Sequence, residues 1–456
     1  MSALRQLLDL AQLDDPFTAA PANLEELQLA AAQERLDQRR QEIRVLDQRA
    51  RDRGVDKITS RKDLVDLIFS DATYKSYPET FLDQKRWDRM TMWFNTLASD
   101  DLSGVDMSGV ETIDQWLERL QQYGIWVNSS SGTSGKNSFL SMNRKDMDVA
   151  LQLMVQAMRF TSSNLRSAAP NSFKAFVMGP SSASYSGSLR AKMLAEYLAI
   201  PGEVYYISDV AQSAQDGLDL GKLNRAIAAG TARPSEVAAF QERSKQKGEQ
   251  IQADLNRFLD RLVEHHDKAP MALLGLSSML YNVMLMAKAR GIEGLPLHPE
   301  SVVSLGGGRK GTNAPDDYIE QIRAFFGMTD EIFTNPYGMT EISGACPGLP
   351  NGNGWVLPPW IVPLVLTPTD EVLLNTDGVT GEITGRFAFL DLLVEGRWGG
   401  LVSGDKVTID FTPGVEGLNL PILRKVDRYK DLPGDDKETC AGTIDAYVRG
   451  ALEATA

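Results

Sequence analysis

The chain has 456 residues, with 47 basic against 61 acidic side chains and a formal net charge of −14. That length allows two or three packed units with sizeable cores, and 43% hydrophobic with 24% charged residues is ordinary for a globular protein. The negative balance argues against non-specific binding to nucleic acid or to an anionic membrane surface, and leaves room for a local basic pocket.

Residues 1–125 read as helical. "NLEELQLAAAQERLDQRRQEIRVLDQRARDRG" is rich in Ala, Leu, Glu, Gln and Arg and has no proline; shorter helices follow, among them the Trp-rich "RWDRMTMWFNTLA". "YGIWVNSS" is a strand running into the loop "SSSGTSGKNS", residues 129–138. Next comes a helix, "NRKDMDVALQLMVQAMRF", with Asn143 as its cap and Met147, Ala150, Leu151, Met154, Ala157 and Met158 on one face. "SFKAFVMG" and "EVYYISDV" are strands on either side of a helix, "SLRAKMLAEYLAI", which predicts a parallel α/β sheet. Residues 235–266 are a charged helix burying Ile251, Leu255, Phe258, Leu259 and Leu262. The strand "MALLGL", the helix "SMLYNVMLMAKARG" and the strands "SVVSLGGG" and "EIFTNPYG" complete the alternation. From about residue 355, "EVLLNTD", "GEITGRFAF" and "GGLVSGDKVTID" are short β runs. The expected fold class is α/β, with units at 1–125 (helical), 126–354 (α/β core), 355–422 (β-rich) and 423–456 (a short C-terminal segment).

Cys346 and Cys440 make neither a disulfide framework nor a zinc spacing, and His265, His266 and His298 are too few for a histidine-based metal site. No window approaches the roughly 20 apolar residues of a membrane span, and the N-terminal stretch has no apolar run of signal-peptide length. A cytoplasmic protein with reduced thiols is the expectation.

The chemistry is concentrated in four glycine turns. "SSSGTSGKNS" offers backbone N–H groups, hydroxyls and Lys136 to a phosphate. Its spacing is not that of a Walker loop, because only two residues separate Gly132 from Gly135 and Asn137 follows the lysine. Alone it reads equally well as a flexible surface loop. "SLGGGRKG" (304–311), "NPYGMTE" (335–341) and "VSGDKV" (402–407) follow in order, each with a plain reading as a tight turn.

Together, "SSGTSGK", "GGG", "YGMTE", "TGEIT" and "SGD" resemble the ordered core motifs of the adenylate-forming superfamily of acyl-CoA synthetases, luciferases and peptide-synthetase adenylation domains. The match runs from about residue 70 to about 410. "LLGLSSMLYNVMLMAKARGI" and the helix after "GGGRKG" resemble the phenylacetate–CoA ligase branch, and "FSDATYKSYPETF" (69–81) resembles a stretch in the acyl-protein synthetases of bacterial luminescence.

The resemblance implies roles for particular residues. Ser130, Gly132, Thr133, Ser134 and Gly135 would wrap the β- and γ-phosphates of ATP, with Lys136 helping to neutralise them. Gly306, Gly307 and Gly308 would let backbone approach the adenine and the acyl carboxylate. Tyr337, followed by Gly338, would stack on adenine. Thr340 would bond the α-phosphate, Glu341 would hold Mg²⁺, a hard cation suited to oxygen ligands, and Asp405 would accept from the ribose hydroxyls. Arg424, in "LRKVDRYKD", resembles the hinge arginine.

These parts imply attack of a small carboxylic acid on ATP to give an acyl-adenylate, then transfer to a thiol of CoA, a carrier protein or a protein cysteine. An amine acceptor and a non-catalytic nucleotide-binding homologue are the alternatives; retention of Thr340 and Glu341 argues against the latter. The acid pocket is expected between residues 175 and 310, with Met279, Met284 and Met286 either shaping it or filling helix core. The superfamily's mobile C-terminal domain is expected to be truncated or absent, since 51 residues follow Asp405. Cys440 is either a transient acyl carrier or an ordinary helix cysteine, and Cys346 is expected to line or support the site.

Overall fold

Two sheets organise the chain. The computed structural model describes residues 1–130, 136–182, 185–209, 211, 213–228, 230–307, 314–369 and 372–429. The first sheet is parallel throughout, in the order Ala199–Ser208, Phe173–Pro180, Met271–Leu276, Val302–Gly306 and Phe333–Thr334. Its central strands are near-continuous apolar runs because helices cover them on both faces. Phe173, Ala175 and Phe176 are buried in one strand, and Met271, Ala272 and Leu273 in the next. The helices Ser186–Leu198, Ser277–Ala289 and Tyr318–Phe326 make the crossovers.

The second sheet is antiparallel, in the order Ile361–Leu366, Glu382–Asp391, Gly400–Asp410, Ile422–Arg428 and Trp355–Val356, with Phe69–Ser70 joining it parallel to Gly400–Asp410. The boundary expected at 422/423 falls inside the strand Ile422–Arg428. Among the described residues "EVLLNTD" does not form the expected β run: Leu373 makes an isolated bridge to Leu366, flanked by backbone bonds from Thr367 N to Val372 O and from Leu374 N to Val365 O. The buried side chain of Asn375 extends this short pairing, accepting from Val365 N at 2.6 Å and donating to Pro363 O at 2.9 Å. Pro363 is tolerated because its strand lies at the sheet edge.

A separate hairpin pairs Trp126–Ser130 with Ser138–Met142, so that Ser130 faces Ser138 across the glycine-serine turn. The helix Arg144–Thr161 begins at Asn143, whose side chain accepts from Lys145 N and Asp146 N while Asp146 returns a bond to Asn143 N. Met147, Ala150, Ala157 and Met158 are buried as the spacing predicts, and Leu151 and Met154 pack half-buried beside them. On the long helix Pro234–His265, Phe258, Leu259 and Leu262 are buried but Ile251 is 54% exposed, because the buried side chains lie in the second half of the helix.

The N-terminal helix Leu24–Glu42 is tied to the far end of the chain. Arg35 and Arg39 are buried and share Glu395, at 2.6 and 2.8 Å. Among the described residues no helix is long and apolar enough to cross a membrane.

Candidate active site

The segment "YGMTEISGAC" closes on itself. Tyr337 N donates to Cys346 O at 3.0 Å and Cys346 N to Tyr337 O at 2.8 Å, which leaves Thr340 and Glu341 within the turn between them. Three further contacts fix that turn. Asn128 Nδ2, on the hairpin, donates to Thr340 O at 2.7 Å. Arg397 Nη2 donates to Glu341 O at 2.5 Å, while its Nη1 reaches Ser141 O at 3.1 Å. Asp391 accepts from Ser343 N at 2.6 Å and from Leu393 N at 3.0 Å. Gly344 completes the turn at φ +73, and a Cβ there would lie 2.7 Å from Leu153 Cβ, so only glycine fits.

Asp405 enters from the antiparallel sheet. It is 5% exposed, and its Oδ2 accepts from the Tyr337 hydroxyl at 2.8 Å. Its Oδ1 lies 3.5 Å from Arg428 Nε, the residue opposite it in the ladder. Arg424 stands elsewhere, held by Asp410 at 3.1 Å and Glu416 at 2.7 Å. It is four residues from Arg428 along the strand, about 13 Å at the usual rise. The arginine facing Asp405 is therefore Arg428, which sequence reasoning did not single out.

Electrostatics mark the same place. Burial, with the neighbouring Asp405 charge, pushes the Tyr337 hydroxyl well above its ordinary pKa. Burial also raises the half-buried Glu341 carboxyl, against the opposing pull of the Thr340 hydroxyl and Arg397. Asp391 is pushed up to about 6 by burial, and burial raises the Cys346 thiol, which makes it a supporting group rather than a nucleophile. Among the described residues no three His, Cys, Asp or Glu side chains gather as a metal site. Mg²⁺ commonly takes one or two carboxylates and completes its shell with phosphate oxygens and water. A single desolvated carboxyl such as Glu341, which a cation would stabilise in its charged form, fits that donor set.

Lys136, just before the hairpin's second strand, packs on Tyr77. Its Nζ donates to Tyr77 O and lies 4.3 Å from the Tyr77 ring centroid. Tyr77 in turn donates to Asn137 O at 3.0 Å. Residues 69–81, which sequence reasoning assigned no role, thus clasp the hairpin. Ser130 ends its first strand. Gly132, Thr133, Ser134 and Gly135 lie outside the described residues, as do Gly308 and Cys440. Gly306 ends a parallel-sheet strand, and Gly307 follows at φ +87, where a Cβ would meet Leu276 Cδ2 at 2.7 Å. Gly338 is exposed beside Tyr337.

A cavity of about 1700 Å³ opens beside the hairpin, with Ser129, Lys136 and Asn137 on one side and Met178, Leu276 and Met279 on another. Its lining draws partly on the span expected for the acid pocket, from Met178 to Met279, and partly on residues 77–137, which lie outside it. Met279 borders it, whereas Met284 is fully buried in helix core and Met286 packs against the same core.

No family model matches the chain, and no curated protein matches it. Solved structures do. The chain is similar to 2-hydroxyisobutyryl-CoA ligase in an open conformation with 2-HIB-AMP and CoA, at a TM-score of 0.50 and 13% identity, over 91% of this chain and 77% of the ligase. In its thioesterification state, with the same ligands, the values are 0.52 and 15%, over 90% and 69%. In its postadenylation state with 2-HIB-AMP they are 0.52 and 13%, over 92% and 72%. At these identities the likeness is one of fold: the chain shares the large α/β architecture of that ligase.

Proposed function

We propose that the chain activates a carboxylic acid with ATP as an acyl-adenylate and then passes the acyl group to a thiol. The observation that carries the reading is the 2.8 Å bond between Tyr337 and Asp405. It joins two of the four motifs, 68 residues apart, beside the hairpin whose turn holds a third.

In this reading Tyr337 offers a ring face to adenine and Asp405 accepts from the ribose hydroxyls. Thr340 bonds the α-phosphate. Residues 130–135 and Lys136 receive the β- and γ-phosphates, a use suited to a stretch of small residues and hydroxyls. The acid lies toward the cavity. One carboxylate oxygen attacks the α-phosphorus, the bond from that phosphorus to the bridging oxygen breaks, and pyrophosphate leaves with the electron pair. The protein's work is alignment and charge neutralisation. Glu341 would hold Mg²⁺, which as a Lewis acid neutralises phosphate charge. A thiol then attacks the acyl carbonyl and AMP departs. The fold shared with a ligase solved with CoA supports a thiol acceptor such as CoA.

The test is ATP–pyrophosphate exchange by the purified chain over a panel of fatty, aromatic and steroid-like acids. Acid-dependent exchange that drops more than tenfold in Glu341→Gln is expected, a loss of about 1.4 kcal/mol or more at the transition state. Exchange with no acid in the panel, despite nucleotide binding, would remove the reading.

A further inference from the structure

Arg190 is a cation without a bonded partner. It lies one turn into the helix Ser186–Leu198. Its Nε is sealed from solvent with no acceptor, and among the described residues its guanidinium makes no hydrogen bond or ion pair. The charges it feels are Arg397, which repels it, and Asp146, which attracts it. Asp146 is already committed. It accepts from Asn143 N at 2.9 Å and from Glu395 N and Gly396 N, both at 2.8 Å. Burial, with Arg397 adding to it, lowers the Arg190 guanidinium to about 10, so it remains charged at neutral pH. Arg190 is half-buried, and a partly desolvated charge with no bonded partner is one that a bound anion stabilises.

The helix that carries this charge packs beside the site already described. Gly187, three residues earlier on the same helical face, would place a Cβ 3.6 Å from Asn128 Oδ1. Asn128 is the residue that holds Thr340 O, and Arg397 holds Glu341 O. The helix that carries Arg190 therefore lies beside Asn128, and Arg190 is within electrostatic reach of Arg397; Asn128 and Arg397 are the two residues that hold the backbone of Thr340 and Glu341.

We propose that Arg190 is a phosphate-binding residue that receives oxygens of the β- and γ-phosphates and of the departing pyrophosphate. The proposal rests on the adenylation reading. A guanidinium fork matches two phosphate oxygens, and two neighbouring cations suit a polyanion better than the single charge of the acid. When the bond to the α-phosphorus breaks, negative charge collects on the leaving pyrophosphate, and Arg190 neutralises it there.

Calorimetric titration of the full chain with pyrophosphate, thermal melting without ligand, and pyrophosphate exchange test this on wild type, Arg190→Gln and Arg190→Lys. Arg190→Gln is expected to melt at or above the wild-type temperature, since a partly desolvated charge is gone, and to bind pyrophosphate at least tenfold more weakly. Arg190→Lys is expected to recover part of that affinity. Wild-type pyrophosphate affinity in Arg190→Gln overturns the proposal. So does a lowered melting temperature in both variants, which marks a structural role, or a loss confined to the acid's KM. If the wild type exchanges with some acid while Arg190→Gln matches it, only the assignment of Arg190 falls. A wild type that binds no ATP and exchanges with no acid removes both readings.

Discussion

Asp405 and Asp391 are both buried carboxylates, yet they do different work. Asp405 accepts from Tyr337 and faces Arg428, whereas Asp391 holds the backbone of the turn through Ser343. Asp405→Asn keeps an acceptor for the Tyr337 hydroxyl but removes the charge that strengthens bonds to ribose. The KM for ATP is expected to rise about tenfold or more, from roughly 0.7–1.5 kcal/mol lost at each of two bonds, with an unchanged melting temperature. Steady-state kinetics beside a thermal melt checks it. For Asp391 the folded pKa, about 6, stands above the ordinary value near 3.9. Its stabilising contribution is then fully present below pH ~4 and lost as the pH rises through 6. Two units amount to about 3 kcal/mol. Denaturant unfolding should show wild type gaining roughly that much on Asp391→Asn between pH 8 and pH 4; a constant gap would show that burial does not perturb the group. Tyr337, Thr340, Glu341 and Asp405 were legible in the sequence because each sits in a short contiguous motif. Asn128, Asp391, Arg397 and Arg428 were not, because their roles arise from bonds to chain 48 to 256 residues away, or from strand register.

The elements show a similar division. The parallel strands were readable as apolar runs, and the helix Arg144–Thr161 as an apolar face with an Asn cap. Ser138–Met142 was missed because it is short and follows a glycine-serine turn, so nothing local distinguishes it from loop. Ile361–Leu366 contains a proline, which argues against a strand until its edge position is known. Ile422–Arg428 carries polar residues on both faces, so it shows no apolar alternation, and it resembled a hinge instead. The turn from Tyr337 to Cys346 depends on Gly344, whose missing Cβ admits Leu153. Gly344→Ala combines a left-handed φ with a steric overlap, each costing on the order of 1–3 kcal/mol. Reduced unfolding free energy together with lost adenylation is expected, since the turn that presents Thr340 and Glu341 would have to move. Full activity in that variant would show that the turn tolerates displacement.

Across the whole molecule, the residues that converge come from three regions: the hairpin near residue 130, the turn near 340 and the antiparallel sheet near 405. The segment from Asp391 to Arg397 binds these regions to one another, and Glu395 is its anchor. Glu395 joins Arg35 and Arg39 of the N-terminal helix, while its own N–H bonds Asp146. Glu395→Gln leaves the buried Arg35 guanidinium without a charged partner and Arg39 with Glu42 alone, which costs about 3–5 kcal/mol. Urea unfolding is expected to show that loss, with melting of the N-terminal helix coupled to loss of nucleotide binding; a loss below 1 kcal/mol would mean that solvent replaces the carboxylate. The central claim is attack by the acid's own oxygen on the α-phosphorus. Its most direct test supplies an acid active in exchange, labelled with ¹⁸O in both carboxylate oxygens, together with ATP and a thiol. Mass spectrometry of the products should find one ¹⁸O in AMP and none in pyrophosphate. Label in inorganic phosphate alongside ADP, or unlabelled AMP, would contradict the account.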